Sequence, residues 1–149
     1  MFLATDPVVV RAMLALAKVT KHDVVYDLGC GDGRLVIAAA KMYGARGIGI
    51  DIDPAQIEIA TAAAKAAGVA DKVTFRAGDI FDPSVTFTDA TVVTLFLRQD
   101  LNRRLRPRLQ QELAPGTRVV SNSFDMGDEW PPDTAEQIGN FAIYLWTIR

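Results

Sequence analysis

Residues 27–34 read DLGCGDGR, with three glycines at alternate positions, Gly29, Gly31 and Gly33, set among Asp27 and Asp32. They follow the apolar run VVYDLG at 24–29 and open a stretch of helical spacing, the setting in which a glycine motif carries chemical meaning. Glycine lets the chain turn sharply and lets a ligand approach main-chain N–H groups with no Cβ in the way. A dinucleotide fingerprint counted from Gly29 would want a small residue where Arg34 stands. A nucleoside triphosphate loop would carry a lysine and a Ser or Thr after its glycines, and this turn carries neither. Acids surround it instead: they repel a pyrophosphate but attract an ammonium or sulfonium, while the free amides of the following helix suit a small carboxylate. A tight turn with no ligand is the plain alternative.

S-adenosylmethionine carries ammonium, sulfonium and carboxylate together, and it is the cofactor this turn predicts. Asp51 ends the run RGIGIDI 20 residues after Gly31, where a carboxylate accepts hydrogen bonds from both ribose hydroxyls. Asp53 competes for that role, but it also stands where a helix cap belongs, directly before Pro54, so the ribose is expected on Asp51 and the adenine against Ile52. AGDIF at 77–81 offers Asp79 to the adenine amino group and Ile80 to its ring, with ordinary solvation of a strand end as the other account of Asp79. Cys30 lies inside the turn, where the need for a small side chain explains it better than nucleophilic chemistry. His22, in a polar turn at the far end of the first strand, is not expected to act in catalysis.

These residues need a scaffold that gathers strand ends. VVYDLG, RGIGIDI, KVTFRA, ATVVTLFL and TRVVSNSF read as strands, mostly apolar on both faces as a covered parallel sheet requires, and segments of helical spacing fall between them. The first helix follows TDP, capped by Thr5 or Asp6, and is expected to run to about Val19. The second runs from about Gly33 to Tyr43, and the third from Pro54 to Gly68. A fourth, DLNRRLRPRLQQEL, spaces Leu101, Leu105, Leu109 and Leu113 four apart. A proline in a helix interior costs about 3 kcal/mol, so Pro107 predicts a break or kink near Arg106. FAIYLWTIR reads as a last strand, with a short partner around EQIG. The expected fold is a single-domain α/β Rossmann-like doubly wound sheet over 1–149, mostly parallel, with ligands bound at the C-terminal strand ends.

Half of the 149 residues are apolar, enough for one core, and 16 basic against 18 acidic residues give no general reason to expect nucleic acid or an anionic membrane as partner. A single cysteine excludes an internal disulfide and a multi-cysteine zinc site; no metal is expected, and a reducing, cytoplasmic setting is. The opening residues lack a basic region followed by a cleavage site, so no targeting segment is expected. Arg98, Arg103, Arg104, Arg106 and Arg108 form the one basic cluster. It reads as a solvated helix face, or else as a surface for an acidic protein or phospholipid headgroups.

Together VVYDLGCGDGR, GIGIDID and AGDIF resemble the motifs of class I, seven-strand S-adenosylmethionine-dependent methyltransferases. That resemblance implies a parallel sheet with an antiparallel last strand, the place of FAIYLWTIR. The segment from VVTLFL to WPPDT is similar to small bacterial proteins related to the mitochondrial lysine methyltransferases of ATP synthase subunit c and the adenine nucleotide translocase. In that group FLATDP resembles a loop that closes over the cofactor; Phe2 and Asp6 depart from its pattern, and Thr5 alone carries over as a cofactor contact. The acceptor is expected beside TLFLRQDLN, framed by Thr94, Phe96 and Asn102, with core filling as the alternative for Thr94 and Phe96. No Asp/Asn-Pro-Pro-Tyr stands there to hold a planar nitrogen, which disfavours amide and nucleobase targets. A lysine amine needs only alignment and loss of a proton, which an apolar, aromatic-rimmed channel favours. The acceptor is therefore expected to be a protein lysine, including one of a membrane protein; the alternatives are a small-molecule amine or hydroxyl, or a cofactor-binding module without catalysis. Oligomeric state is not legible.

Overall fold

In the computed structural model, which describes residues 4–149, seven strands form one sheet in the order β3-β2-β1-β4-β5-β7-β6. The elements are α1 (Pro7–Leu16), β1 (Val24–Leu28), α2 (Arg34–Tyr43), β2 (Arg46–Asp51), α3 (Pro54–Ala66) and β3 (Val73–Ala77), followed by β4 (Val92–Leu95), α4 (Gln99–Glu112), β5 (Arg118–Asn122), β6 (Thr134–Ile138) and β7 (Phe141–Thr147). β1 to β5 run parallel, and β7 inserts antiparallel between β5 and β6, as the sequence motifs imply. The chain reverses its winding between β1 and β4. In sheets of this kind the crevice beyond the strand ends at that reversal receives the ligand.

Helix boundaries follow the signals in the sequence. The Asp6 carboxylate accepts from the Val8 amide at 2.9 Å and the Asp53 carboxylate from the Ala55 amide at 2.9 Å, each ahead of a proline at the first helical position. α1 stops before the expected Val19, because Lys18 takes a left-handed conformation (φ 56°) and Val19 bonds back to the Leu14 carbonyl at 3.2 Å. The expected break at Pro107 is absent: α4 is continuous from Gln99 to Glu112. Pro107 lies on the exposed side of the helix with Arg103, whose carbonyl it cannot bond, so water can serve that acceptor. Leu105 and Leu109, on either side of the proline, are fully buried and hold both halves against the sheet.

The two faces of the sheet are covered differently. α1, α2 and α3 cover one face, with Val9, Met13, Leu14, Val36 and Ala39 packed on Val25, Val92 and Val120. The other face takes α4, through Leu105, Leu109 and Leu113, and the loop 78–91, which connects β3 to β4 without a helix and buries Phe87. Strict alternation of strand and helix thus lapses at this connection. Among the described residues no helix is long and apolar enough to cross a membrane.

At the N-terminal edge of the sheet, opposite the crevice, buried Asp23 organises the strand starts. Its carboxylate accepts from the Thr20 amide at 2.8 Å, the Thr91 hydroxyl at 2.7 Å and the Arg118 guanidinium at 2.9 Å, and Arg118 also donates to the Ala17 and Thr91 carbonyls. Burial would raise the Asp23 pKa, but these hydrogen bonds and the Arg118 charge outweigh it and hold the carboxyl below its ordinary value. A depressed folded-state pKa stabilises above the unfolded value and is lost as pH falls through the folded one. Removing one partner of a buried ion pair costs about 3 kcal/mol. Urea denaturation of Asp23→Ala should therefore show a loss of that order at pH 7, shrinking toward pH 3.

Candidate cofactor and acceptor site

The turn after β1 is fastened to the end of β2. The Gly29 and Cys30 amides both donate to the Ile50 carbonyl, at 2.8 and 3.0 Å, and the Gly31 amide donates to the Asp51 carboxylate at 2.8 Å. Gly29, Gly31 and Gly33 all have positive φ (89°, 53° and 81°), a region that costs a side chain dearly. At Gly33 space forbids one as well: a Cβ there would stand 2.7 Å from the Phe75 ring and 2.9 Å from the Ala60 Cβ. α2 therefore starts close against β3 and α3, with Arg34 and Leu35 of its first turn lining the inner cavity.

The acids divide into three roles. Asp27 is buried, beside Thr94 in the β1–β4 register, and accepts the Thr94 hydroxyl at 3.0 Å. Burial, reinforced by the charges of Asp51 and Asp32 against the Thr94 bond, pushes its pKa up to about 7. Asp32 is held well below the usual carboxylate range, chiefly by its hydrogen bonds with Arg34, to which it pairs at 2.6 Å. Read from sequence as a free acid awaiting a cation, Asp32 is thus already neutralised, and Arg34 goes on to donate to the Thr5 carbonyl at 3.0 Å. Asp51 uses one oxygen for the Gly31 amide and the other for the Asp53 amide at 3.0 Å. Asp53 itself caps α3, which leaves the strand-end position to Asp51.

Around these groups lie three neighbouring cavities that share Gly29 in their walls and together make up the crevice. A small inner cavity lies among Thr5, Met13, Asp27, Gly29, Leu35 and Phe96. A cavity of about 310 Å³ opens between Ile52, Asp79, Ile80, Phe81 and Leu97, and one of about 590 Å³ between Asp51, Gln56, Phe96, Leu101 and Phe124. These volumes suit a nucleoside-sized ligand. Ile52 exposes 71% of its surface here, an apolar wall that a flat ring would cover. The residues read from sequence as cofactor contacts, Thr5, Asp27, Gly29, Asp51, Ile52, Asp79 and Ile80, all line these three spaces, while Gly31 and Gly33 shape the turn from within. Burial raises the Cys30 thiol far above its ordinary pKa, so it stays protonated and is no nucleophile.

The three acceptor candidates separate. Phe96 lines the crevice, stacked against Phe124 with ring centroids 6.3 Å apart. Thr94 is wholly buried beneath the turn and faces Asp27. Asn102 is also wholly buried, and its amide donates to the Phe124 carbonyl at 3.0 Å and the Asp125 carbonyl at 3.3 Å. Neither Thr94 nor Asn102 therefore lines the crevice; Asn102 instead anchors the segment that carries Phe124. Phe124 was missed as a site residue. Its signal was its place at the end of TRVVSNSF, just beyond β5, beside the β4 end that carries Phe96. Of the basic cluster, Arg98, Arg103 and Arg104 lie on the solvated face the sequence predicts, with Arg98 paired to Asp100, Arg103 to Glu129 and Arg104 over the Phe81 ring, whereas Arg106, paired to Glu129, and Arg108, paired to Glu112, are partly covered.

The strand order, the glycine turn and the acids at the ends of β1, β2 and β3 define the class of protein: a class I, S-adenosylmethionine-dependent methyltransferase. A crystal structure of an RNA methyltransferase from Salinibacter ruber in complex with S-adenosyl-L-homocysteine superposes with a TM-score of 0.95 at 51% identity, covering 98% of this chain and 94% of that one. The protein-lysine N-methyltransferase of Saccharolobus islandicus is 40% identical over 99% of this chain and 92% of its own length. The adenine nucleotide translocase lysine N-methyltransferase of Mus musculus is 34% identical over 83% of this chain, which spans only 52% of that protein. Residues 27–134 match the ANTKMT methyltransferase domain, and the chain belongs to that family.

The buried Asp27 makes the site sensitive to pH. Its folded pKa lies above the unfolded value near 4, so its proton stabilises the ligand-free protein at low pH and this contribution falls away as pH rises toward about 7. A cationic amine bound beside it favours the ionised form. Calorimetric affinity for S-adenosylhomocysteine should rise several-fold between pH 6 and 8, and Asp27→Asn should weaken binding more than tenfold and flatten that profile.

Proposed function

We propose that this enzyme transfers the methyl group of S-adenosylmethionine to a lysine amine of a protein, with Asp27, Asp51, Ile52, Asp79 and Ile80 holding the cofactor along the glycine turn. The cofactor supplies a methyl group on a positively charged sulfur, already activated for displacement, so the chain must align the acceptor and let its proton leave. The observation that carries the lysine reading is the stacked pair Phe96 and Phe124 at the mouth of the crevice. Aromatic faces attract an arriving ammonium, and the apolar surroundings behind them favour the neutral amine that attacks. Thr94 serves as a positioning residue for Asp27, and Asn102 for Phe124.

The names of the Saccharolobus islandicus and Mus musculus relatives support a lysine acceptor; that of the Salinibacter ruber enzyme points to RNA instead. An RNA acceptor needs cations free to meet phosphates. The chain carries a net charge of −2, and Arg106 and Arg108 are partly covered and paired with Glu129 and Glu112, which favours protein. The open mouth suits a side chain presented by a folded or membrane-embedded protein better than a metabolite that needs enclosure. The lone, buried Cys30 accords with a reducing compartment, and we place the enzyme in the cytoplasm.

Incubating the enzyme with methyl-labelled S-adenosylmethionine and cell extract should put label into protease-sensitive, ribonuclease-resistant material that yields methylated lysine on hydrolysis. Label confined to RNA or to small molecules overturns the reading. Phe124→Ala should lower kcat/KM for the acceptor at least tenfold while affinity for S-adenosylhomocysteine stays within threefold, and Phe96→Ala should lower kcat comparably. Unchanged turnover in both variants removes the aromatic mouth from the mechanism.

A further inference from the structure

α4 lies on the acceptor side of the crevice, yet one of its arginines is built into the opposite wall. The Arg108 guanidinium donates to the Ile80 carbonyl at 2.5 Å, the Asp82 carbonyl at 3.3 Å and the Val85 carbonyl at 2.7 Å, and closes a two-point pair with Glu112 at 2.7 and 3.1 Å. A guanidinium has five N–H donors in a fixed plane, and these contacts use all five. Its carbon stands 4.6 Å from the centroid of Phe87, which is wholly buried. One turn earlier, Arg104 lies 4.1 Å over the ring of Phe81. The side chain of Arg108 is only 17% exposed, so this is an internal clasp and not a surface charge.

The clasped segment is the irregular connection from β3 to β4, which has no helix of its own to hold it. It begins at Asp79, whose carboxylate is turned back onto the Phe81 amide at 2.9 Å, and continues through Ile80. Both residues line the 310 Å³ space. Since three carbonyls of one loop converge on one planar group, the loop's path is tied to the position of Arg108 and hence of α4. Lysine could not reproduce this, because an ammonium is a point donor without the planar fork.

We infer that Arg108, with Arg104 in support, is a positioning residue for nucleobase recognition: it fixes the Asp79–Ile80 segment so that the Asp79 carboxylate meets the amino group of adenine. This rests on the placement of adenine between Ile52 and Ile80 given above. The clasp acts through Asp79, so its removal should harm the choice of base more than the grip on the rest of the ligand.

The test compares calorimetric affinities for S-adenosylhomocysteine and S-inosylhomocysteine, which differ by an amino group against a carbonyl oxygen at the base. Wild type should prefer the adenine ligand at least tenfold. Arg108→Ala, and Arg108→Lys should the former fold poorly, should each reduce that preference to threefold or less. Circular dichroism should show native structure, and affinity for the inosine ligand should change little. Arg104→Ala should show a smaller reduction of the same kind. A folded Arg108 variant that keeps the wild-type preference overturns the inference. Asp79→Ala separates the two levels: if it also keeps the preference, the placement of adenine is wrong, whereas if it alone abolishes it, the adenine placement stands and the clasp does not.

Discussion

Three successive amides, at Gly29, Cys30 and Gly31, donate to the end of the second strand, and the geometry of the crevice depends on that attachment. It uses up donors that a phosphate-binding loop would keep free, and leaves acids where such a loop has lysine. Because Asp51 is itself one of the acceptors, the residue that presents a carboxylate to the crevice also fixes the turn beside it. Shape and charge of the cofactor wall therefore change together. Gly33 completes the constraint by letting α2 press against Phe75 and Ala60.

The two edges of the sheet divide the work. At the N-terminal edge, Asp23, Thr91 and Arg118 bind the starts of β1, β4 and β5 into a closed network of ordinary stabilising contacts. At the C-terminal edge Asp27 is the exception: among the described residues it is buried with one hydroxyl partner, Thr94, and its proton affinity is raised, a cost tolerated where a ligand cation can offset it. Stability concentrated at one end permits strain at the other.

Much of this was legible in the chain before any coordinates. The doubly wound, mostly parallel sheet followed from apolar runs alternating with helical segments, its antiparallel last strand from motif resemblance, and the helix starts from Asp6-Pro7 and Asp53-Pro54, signals that are local. The acids that line the crevice were legible because Asp27, Asp51 and Asp79 lie at or just beyond the C-terminal ends of β1, β2 and β3, where sheets of this kind gather their ligands. Reading failed where distant partners decide. Arg34 neutralising Asp32 from two residues away was open to inspection, but its reach to Thr5 was not. Asn102 was placed at the acceptor because it follows the right strand; the helix turns it inward onto the carbonyls of Phe124 and Asp125. The leucines spaced four apart already put Pro107 on the face away from the core; what they do not convey is that burial of Leu105 and Leu109 on both sides of it keeps α4 unbroken.

The sheet ends on one side in β6, whose residues Thr134 to Gln137 are exposed, and an unpaired strand margin of this kind is a template on which other chains can add. Here the margin is five residues long, follows the pair Pro131 and Pro132, and carries Glu136 near its middle. Brevity, the prolines that precede it and a negative charge all discourage a second ribbon from docking edge to edge. The outermost strand on this side thereby resists edge-to-edge addition of another chain along its own margin.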